Sequence, residues 1–197
     1  MKNTKQNILR LVQLGLLSGL IILLQTVIVI PMPGTLSLSL VLVPIVVGAV
    51  LYGPKTGAFL GGVFGALVSW MAIQGQLGAL TAMMLEHSAV LTIAVCMLKG
   101  IGAGWVAGLV HGLFQKRPLV GIFAAAAAAP LVNTGVFLLG MFTAFRGVLT
   151  EVAGGANIFT FAIVALVGVN FVIEFGANLV LAPAIASIVN AVKKIGK

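Results

Sequence analysis

The chain has 197 residues, of which 61% are hydrophobic and only 7% charged. A soluble domain is nearer a quarter charged because its surface must face water, so a water-soluble globule is excluded, and apolar runs of about twenty residues mark an integral membrane protein. The formal net charge of +8 would fit a nucleic-acid binder, but the placement of the charges gives it another meaning.

The apolar runs are continuous rather than alternating, which points to helices that satisfy their own backbone polar groups in lipid. The N-terminal stretch MKNTKQNILRLV has the basic flank of a signal peptide. Its apolar run continues to Ile30 without a small-residue cleavage site, so it reads as a retained first helix over 9–30. Pro31-Met32-Pro33-Gly34 breaks the chain, a second span follows at 37–52, and Tyr52-Gly53-Pro54-Lys55 makes a tight turn into a third at 56–73. A long connection over 74–88 leads to a fourth span at 89–114. Gln115-Lys116-Arg117-Pro118 separates it from a fifth at 119–144. A second long connection, 145–157, precedes a sixth run at 158–190, longer than a bilayer requires and so expected to tilt or protrude. Cys96 is the only cysteine, which excludes an internal disulfide and a four-cysteine zinc site.

With the N-terminus in the cytoplasm, Lys2, Lys5, Arg10, Lys55, Lys116, Arg117, Lys193, Lys194 and Lys197 fall on the inner side. Arg146 alone among the basic residues falls outside. This is the positive-inside asymmetry of membrane proteins. The basicity is therefore a topology signal, and nucleic acid is set aside as a partner. The expectation is an all-α membrane protein, one domain over 1–197 with six transmembrane helices and both termini cytoplasmic. The long connections lie outside, which favours a site open to that side.

Depth can be estimated from helical rise, about 1.5 Å per residue. Counted from the inner edges, Gln25, Trp70, Lys99, Asn133 and Glu174, on five different helices, all fall at roughly 20–23 Å. That is the outer third of a hydrocarbon core about 30 Å thick. An intramembrane Lys or Glu is costly unless it faces a partner or a wet cavity. Asn170, Glu174 and Asn178 recur at i, i+4 and i+8 and form one stripe. Two readings follow: a structural Lys99–Glu174 pair pinning two helices, or a substrate pocket lined by that pair and the amides. Pro130 frees a backbone carbonyl three residues before Asn133 and is expected to kink the fifth helix near the site.

Other candidates fail. Gly48-Ala-Val-Leu-Tyr-Gly53-Pro54-Lys55-Thr56 has Pro54 between its glycine and lysine and ends a membrane helix rather than a strand, so it is no phosphate loop and no ATPase motif is present. Glu86-His87 lacks a second histidine at helical spacing, and His111 lies near the other side, so no metal site is expected. Small residues repeat at Gly57, Gly61 and Gly65 and at Gly100, Gly104 and Gly108, which permits close helix contact. Gly15 and Gly19 make a similar step on the first helix, placed for docking a second membrane protein from the cytoplasmic side.

LVPIVVGAVLYGPKTGAFLGGVFG (42–65), LKGIGAGWVAGLV (98–110), APLVNTGVFLLGM (129–141) and VGVNFVIEFGANLVLAP (167–183) together resemble the substrate-binding (S) component of energy-coupling factor (ECF) transporters. The likeness covers almost the whole chain, and APLVNTGVFLLGM with NFVIEFGAN looks most like the pantothenate-type (PanT) members. The resemblance implies a multi-pass protein of a bacterial cell membrane that binds a vitamin from outside. It further implies docking on the coupling protein EcfT with two ATP-binding cassette ATPases, which would use ATP and magnesium, followed by toppling in the membrane to release substrate inside. The chain itself would then be no enzyme and hold no cofactor. Gly15 and Gly19 match the family's first-helix docking motif, which is usually built on alanine. MKN lacks the early histidine of nickel and cobalt members, so a metal substrate is not implied. For pantothenate, Lys99 would meet the carboxylate, Asn133 and Asn170 the hydroxyl and amide groups, and Trp70 the gem-dimethyl surface. Glu174 would pair with Lys99 or hold the hydroxyl end.

Three alternatives stay open. One is an S component for folate, riboflavin, cobalamin or a pyridoxine-like vitamin. Another is a stand-alone secondary transporter with Glu174 as its proton-coupling carboxylate. The last is a purely structural membrane subunit.

Overall fold

The computed structural model describes residues 2–27, 30–31, 37–38 and 40–195. In chain order these form α1 (Lys2–Val27), a two-residue antiparallel pair β1 (Ile30–Pro31) and β2 (Ser37–Leu38), α2 (Leu42–Tyr52), α3 (Pro54–Ile73) and α4 (Ala79–Leu113). There follow α5 (Pro118–Thr143), α6 (Arg146–Ala153), α7 (Ile158–Thr160), a π-helical stretch Phe161–Gly168 and α8 (Val169–Ile195). Most of the Pro31-Met32-Pro33-Gly34 break and Lys197 lie outside the described residues.

The fold is that of a helical membrane protein. Helices α1, α3, α4, α5 and α8 are each long and apolar enough to cross a bilayer. A sixth candidate is α6 with residues 158–164, bent by 93°. The run at 37–52 predicts a full span, but α2 has only 11 residues, about 16 Å of helix and so roughly half a hydrocarbon core. It is a buried half-helix packed against α1, α3, α4, α5 and α8.

The two connections expected as long loops are largely helical. Helix α4 begins at Ala79, and α6 fills 146–153. Within α4, Ser88 is extended at φ −166° and ψ 109°. Its hydroxyl accepts from the Leu91 N–H at 3.4 Å, and its carbonyl accepts from the Thr92 hydroxyl at 2.9 Å. Serine in this role starts a helix, because its oxygen satisfies an N–H that has no intrahelical partner. It divides α4 into a short piece, 79–87, and a long one, 89–113.

Helices α3 and α4 pack antiparallel through their glycines. A Cβ on Gly61 would collide with the Gly100 carbonyl, and one on Gly57 with the Gly104 carbonyl. Only hydrogens let two backbones approach so closely. Between α2 and α3, Gly53 sits at φ +87°, a conformation side chains disfavour, and Pro54 opens α3. At this end Arg10 donates to the Thr56 hydroxyl at 3.0 Å and lies 5.2 Å from the Tyr52 ring centre, tying α1 to the α2–α3 turn. Lys55 and the Lys116-Arg117 turn share this end by connectivity, whereas Arg146 begins α6 at the opposite one.

The core has two parts. The larger joins α1, α2, α3, α4, α5 and α8 through residues such as Ile21, Ile45, Leu60, Ala103, Ala126 and Ile185. The smaller joins 79–87 to the end of α5, α6 and the π-helical stretch through Leu80, Met84, Met141, Phe145, Leu149 and Val167. Large apolar side chains such as Leu11, Val90, Leu113 and Val180 are exposed on the exterior, as a lipid-facing surface requires.

Candidate functional site

Between the two cores lies a cavity of about 120 Å³, bounded by α1, α3, α4, α5 and α8. Leu77, Thr81 and Met84 line it at the end opposite Lys55. Five polar groups named from sequence meet there: Gln25, Lys99, Asn133, Asn170 and Glu174. Gln25, near the end of α1, is only 3% exposed. Asn170 and Glu174 stand one turn apart on α8 and face the same space.

Lys99 Nζ lies 5.8 Å from the ring centres of both Phe64 and Phe137. Ring faces attract a cation, so the ammonium rests between two aromatic walls. Among the described residues no salt bridge joins Lys99 to Glu174; the two side chains line one cavity without a direct ion pair.

Asn133 is 9% exposed, and its Oδ1 is buried with no hydrogen-bond partner among the described residues. It follows Pro130 on α5, where the ring removes one N–H and leaves the Ala126 carbonyl without its helical donor. A buried acceptor left unmade costs about 1–3 kcal/mol. Here that acceptor sits in the wall of a cavity.

Two residues named from sequence stand elsewhere. Trp70 does not line the cavity and is 59% exposed on the outside of α3. Asn178 is fully buried behind the cavity wall, and its amide donates to the Glu174 backbone carbonyl at 2.9 Å. Its stripe drifts because every fourth residue advances about 40° around a helix, so the third member has turned away from the cavity. Gly15 and Gly19 are exposed on α1, and a Cβ on either would meet nothing within 4 Å.

Sequence reasoning passed over the apolar and hydroxyl half of the site. Phe137 is four residues after Asn133, and Cys96 and Thr92 are three and seven before Lys99. Helical spacing from the polar residues would have found all three. Thr81 was hidden because 74–88 reads as a loop, while Met83 and Met84 in the same stretch read as loop packing or a hydrophobic lid, and Met84 lines the cavity.

No protein-family model, curated protein or solved structure matches the chain. Its chemistry is therefore read from the cavity itself. Among the described residues no three His, Cys, Asp or Glu side chains come together as a metal site would require. The cavity offers a cation, a carboxylate, amides, hydroxyls and ring faces, a set suited to holding a small polar molecule with an anionic group.

Proposed function

We propose that the chain is the S component of an ECF-type importer of a bacterial cell membrane. It captures a water-soluble vitamin, pantothenate first among candidates, from outside. It then passes the vitamin inward by docking on EcfT and its two ATP-binding cassette ATPases, which supply the ATP chemistry. The observation that carries this reading is the convergence of Gln25, Lys99, Asn133, Asn170 and Glu174 on one cavity at the end opposite the basic turns. Ionisable groups inside a membrane bundle are costly and commonly mark a substrate path. The likeness of 42–65, 98–110, 129–141 and 167–183 to ECF S components supplies the transport context. Exposed Gly15 and Gly19 leave α1 an unobstructed face for a coupling protein.

The test has two steps. Mass spectrometry of small molecules released from the purified chain should find a carboxylate vitamin. Uptake into proteoliposomes should then require the coupling protein, both ATPases and ATP. Accumulation driven by a proton gradient alone, with no partner present, would overturn the proposal in favour of a secondary transporter using Glu174.

A further inference from the structure

The charges of the cavity are few enough to count. Lys99 enters from α4 and Glu174 from α8, and among the described residues no other charged side chain lines the space. Helix α1 contributes the Gln25 amide, α3 the Phe64 ring and α5 the Asn133 amide; among the described residues the Cys96 thiol on α4 is the one further titratable group of the lining. Glu86 and His87 on the short piece of α4 are not part of the lining, and the His87 ring packs edge-on to Phe145 at 5.8 Å.

With Lys99 protonated and Glu174 ionised, the charges of the lining balance. An anionic ligand brings a second negative charge to a single cation, in a space screened far less than water. Two carboxylates confined near each other commonly hold one proton between them. Lys99 Nζ already stands between the ring faces of Phe64 and Phe137, so Glu174 is the lining carboxyl that a proton would neutralise.

We propose that this cavity takes up its anionic ligand together with one proton, held on the Glu174 carboxyl while the ligand's anionic group faces Lys99. This rests on the reading of the chain as a binder of a carboxylate vitamin. The proton comes from bulk water on binding and returns to it on release, and no covalent bond to the ligand forms. The neutral carboxyl gains an O–H donor for the ligand's oxygen atoms. The proton is a co-ligand and not the source of energy, so binding needs no gradient.

Calorimetric titration of the detergent-purified full chain with pantothenate tests this, in buffers of different ionisation enthalpy at matched pH. The wild type should take up close to one proton per pantothenate toward alkaline pH, with affinity falling on the order of tenfold per pH unit there. Glu174→Gln, which has no carboxyl to titrate, should lose both the proton uptake and the pH dependence, whatever affinity it keeps. Pantothenate binding by the wild type with no buffer dependence across the neutral range would overturn the proton while leaving the importer intact. So would a Glu174→Gln whose pantothenate binding still takes up a proton. No binding of pantothenate or any other carboxylate vitamin would overturn the carboxylate-vitamin reading and this one together. The wild-type buffer series stands even where the variant does not fold.

Discussion

The two ends of the α3–α4 pair are built from the same antiparallel helices and do opposite things. Toward Lys55, Gly57 meets Gly104 and Gly61 meets Gly100, backbone against backbone, with no room for one added carbon. Toward the other end, Phe64 and Val68 on α3 and Thr92 and Cys96 on α4 hold the space around them open as a cavity wall. Close-packed interiors ordinarily fill such gaps by local collapse. Here the glycine seam runs on to Gly65, where an added Cβ would meet the Cys96 carbonyl and the Met97 backbone, so the two helices are fixed against each other up to the level of the cavity. The cavity wall is mounted on that seam.

The largest expected effect comes from breaking the seam. Gly61→Leu forces a side chain against the Gly100 backbone, which cannot yield by rotating. Overpacking of this kind costs about 3 kcal/mol, read as a lower unfolding midpoint in detergent, and ligand binding should go with it. A variant that keeps its midpoint would show that the seam is softer than its geometry. Next comes the cavity wall. Asn133→Ala should weaken vitamin binding by about 10- to 100-fold, the loss of one or two buried hydrogen bonds. It should leave the unfolding midpoint unchanged or slightly raised, because the Oδ1 it removes has no partner among the described residues. A fall in stability with binding intact would make Asn133 helix glue.

How much of this was legible in sequence follows from which coordinate each signal measures. Apolar runs report length, so α1, α3, α4, α5 and α8 could be read from composition. They do not separate a short buried helix from a span, which is why 37–52 reads as a crossing while α2 covers only Leu42–Tyr52. The stretch 74–88 reads as a loop, yet Leu80 and Met84 bury themselves in a helix against Met141 and Phe145. Leu77, Leu80, Thr81 and Met84 stand at helical spacing, a signal masked by Gly75 and Gly78 beside them. Rise per residue locates a side chain along the axis and says nothing of the direction it faces. That separates Lys99, Asn133 and Glu174, which share a depth and a cavity, from Trp70.

A smaller effect sharpens the contrast between glycines. Gly15→Leu adds the same side chain as Gly61→Leu, but at a position where an added Cβ meets nothing within 4 Å. Relief of glycine's poor helix propensity should leave stability unchanged or raised by up to about 1 kcal/mol, with vitamin binding intact. Uptake through EcfT should nevertheless fail if α1 is the docking face. Loss of binding in the purified single chain would instead tie Gly15 to the cavity.

The smallest effect is expected where depth alone would have forecast a large one. On α3, Phe64 and Val68 are four residues apart and share the cavity face. Trp70 is two residues beyond Val68, about 200° round the helix, so it points away from that face. Its 59% exposure places the indole on the apolar exterior, where rings of this kind favour the membrane interface. Trp70→Ala should therefore leave vitamin affinity within about twofold of wild type, under half a kcal/mol. Removing Phe137, which walls in Lys99, should weaken it by more. Titration of both variants decides whether direction or depth governs membership of the site: a larger loss at Trp70 than at Phe137 would mean that the helix turns its other face to the ligand.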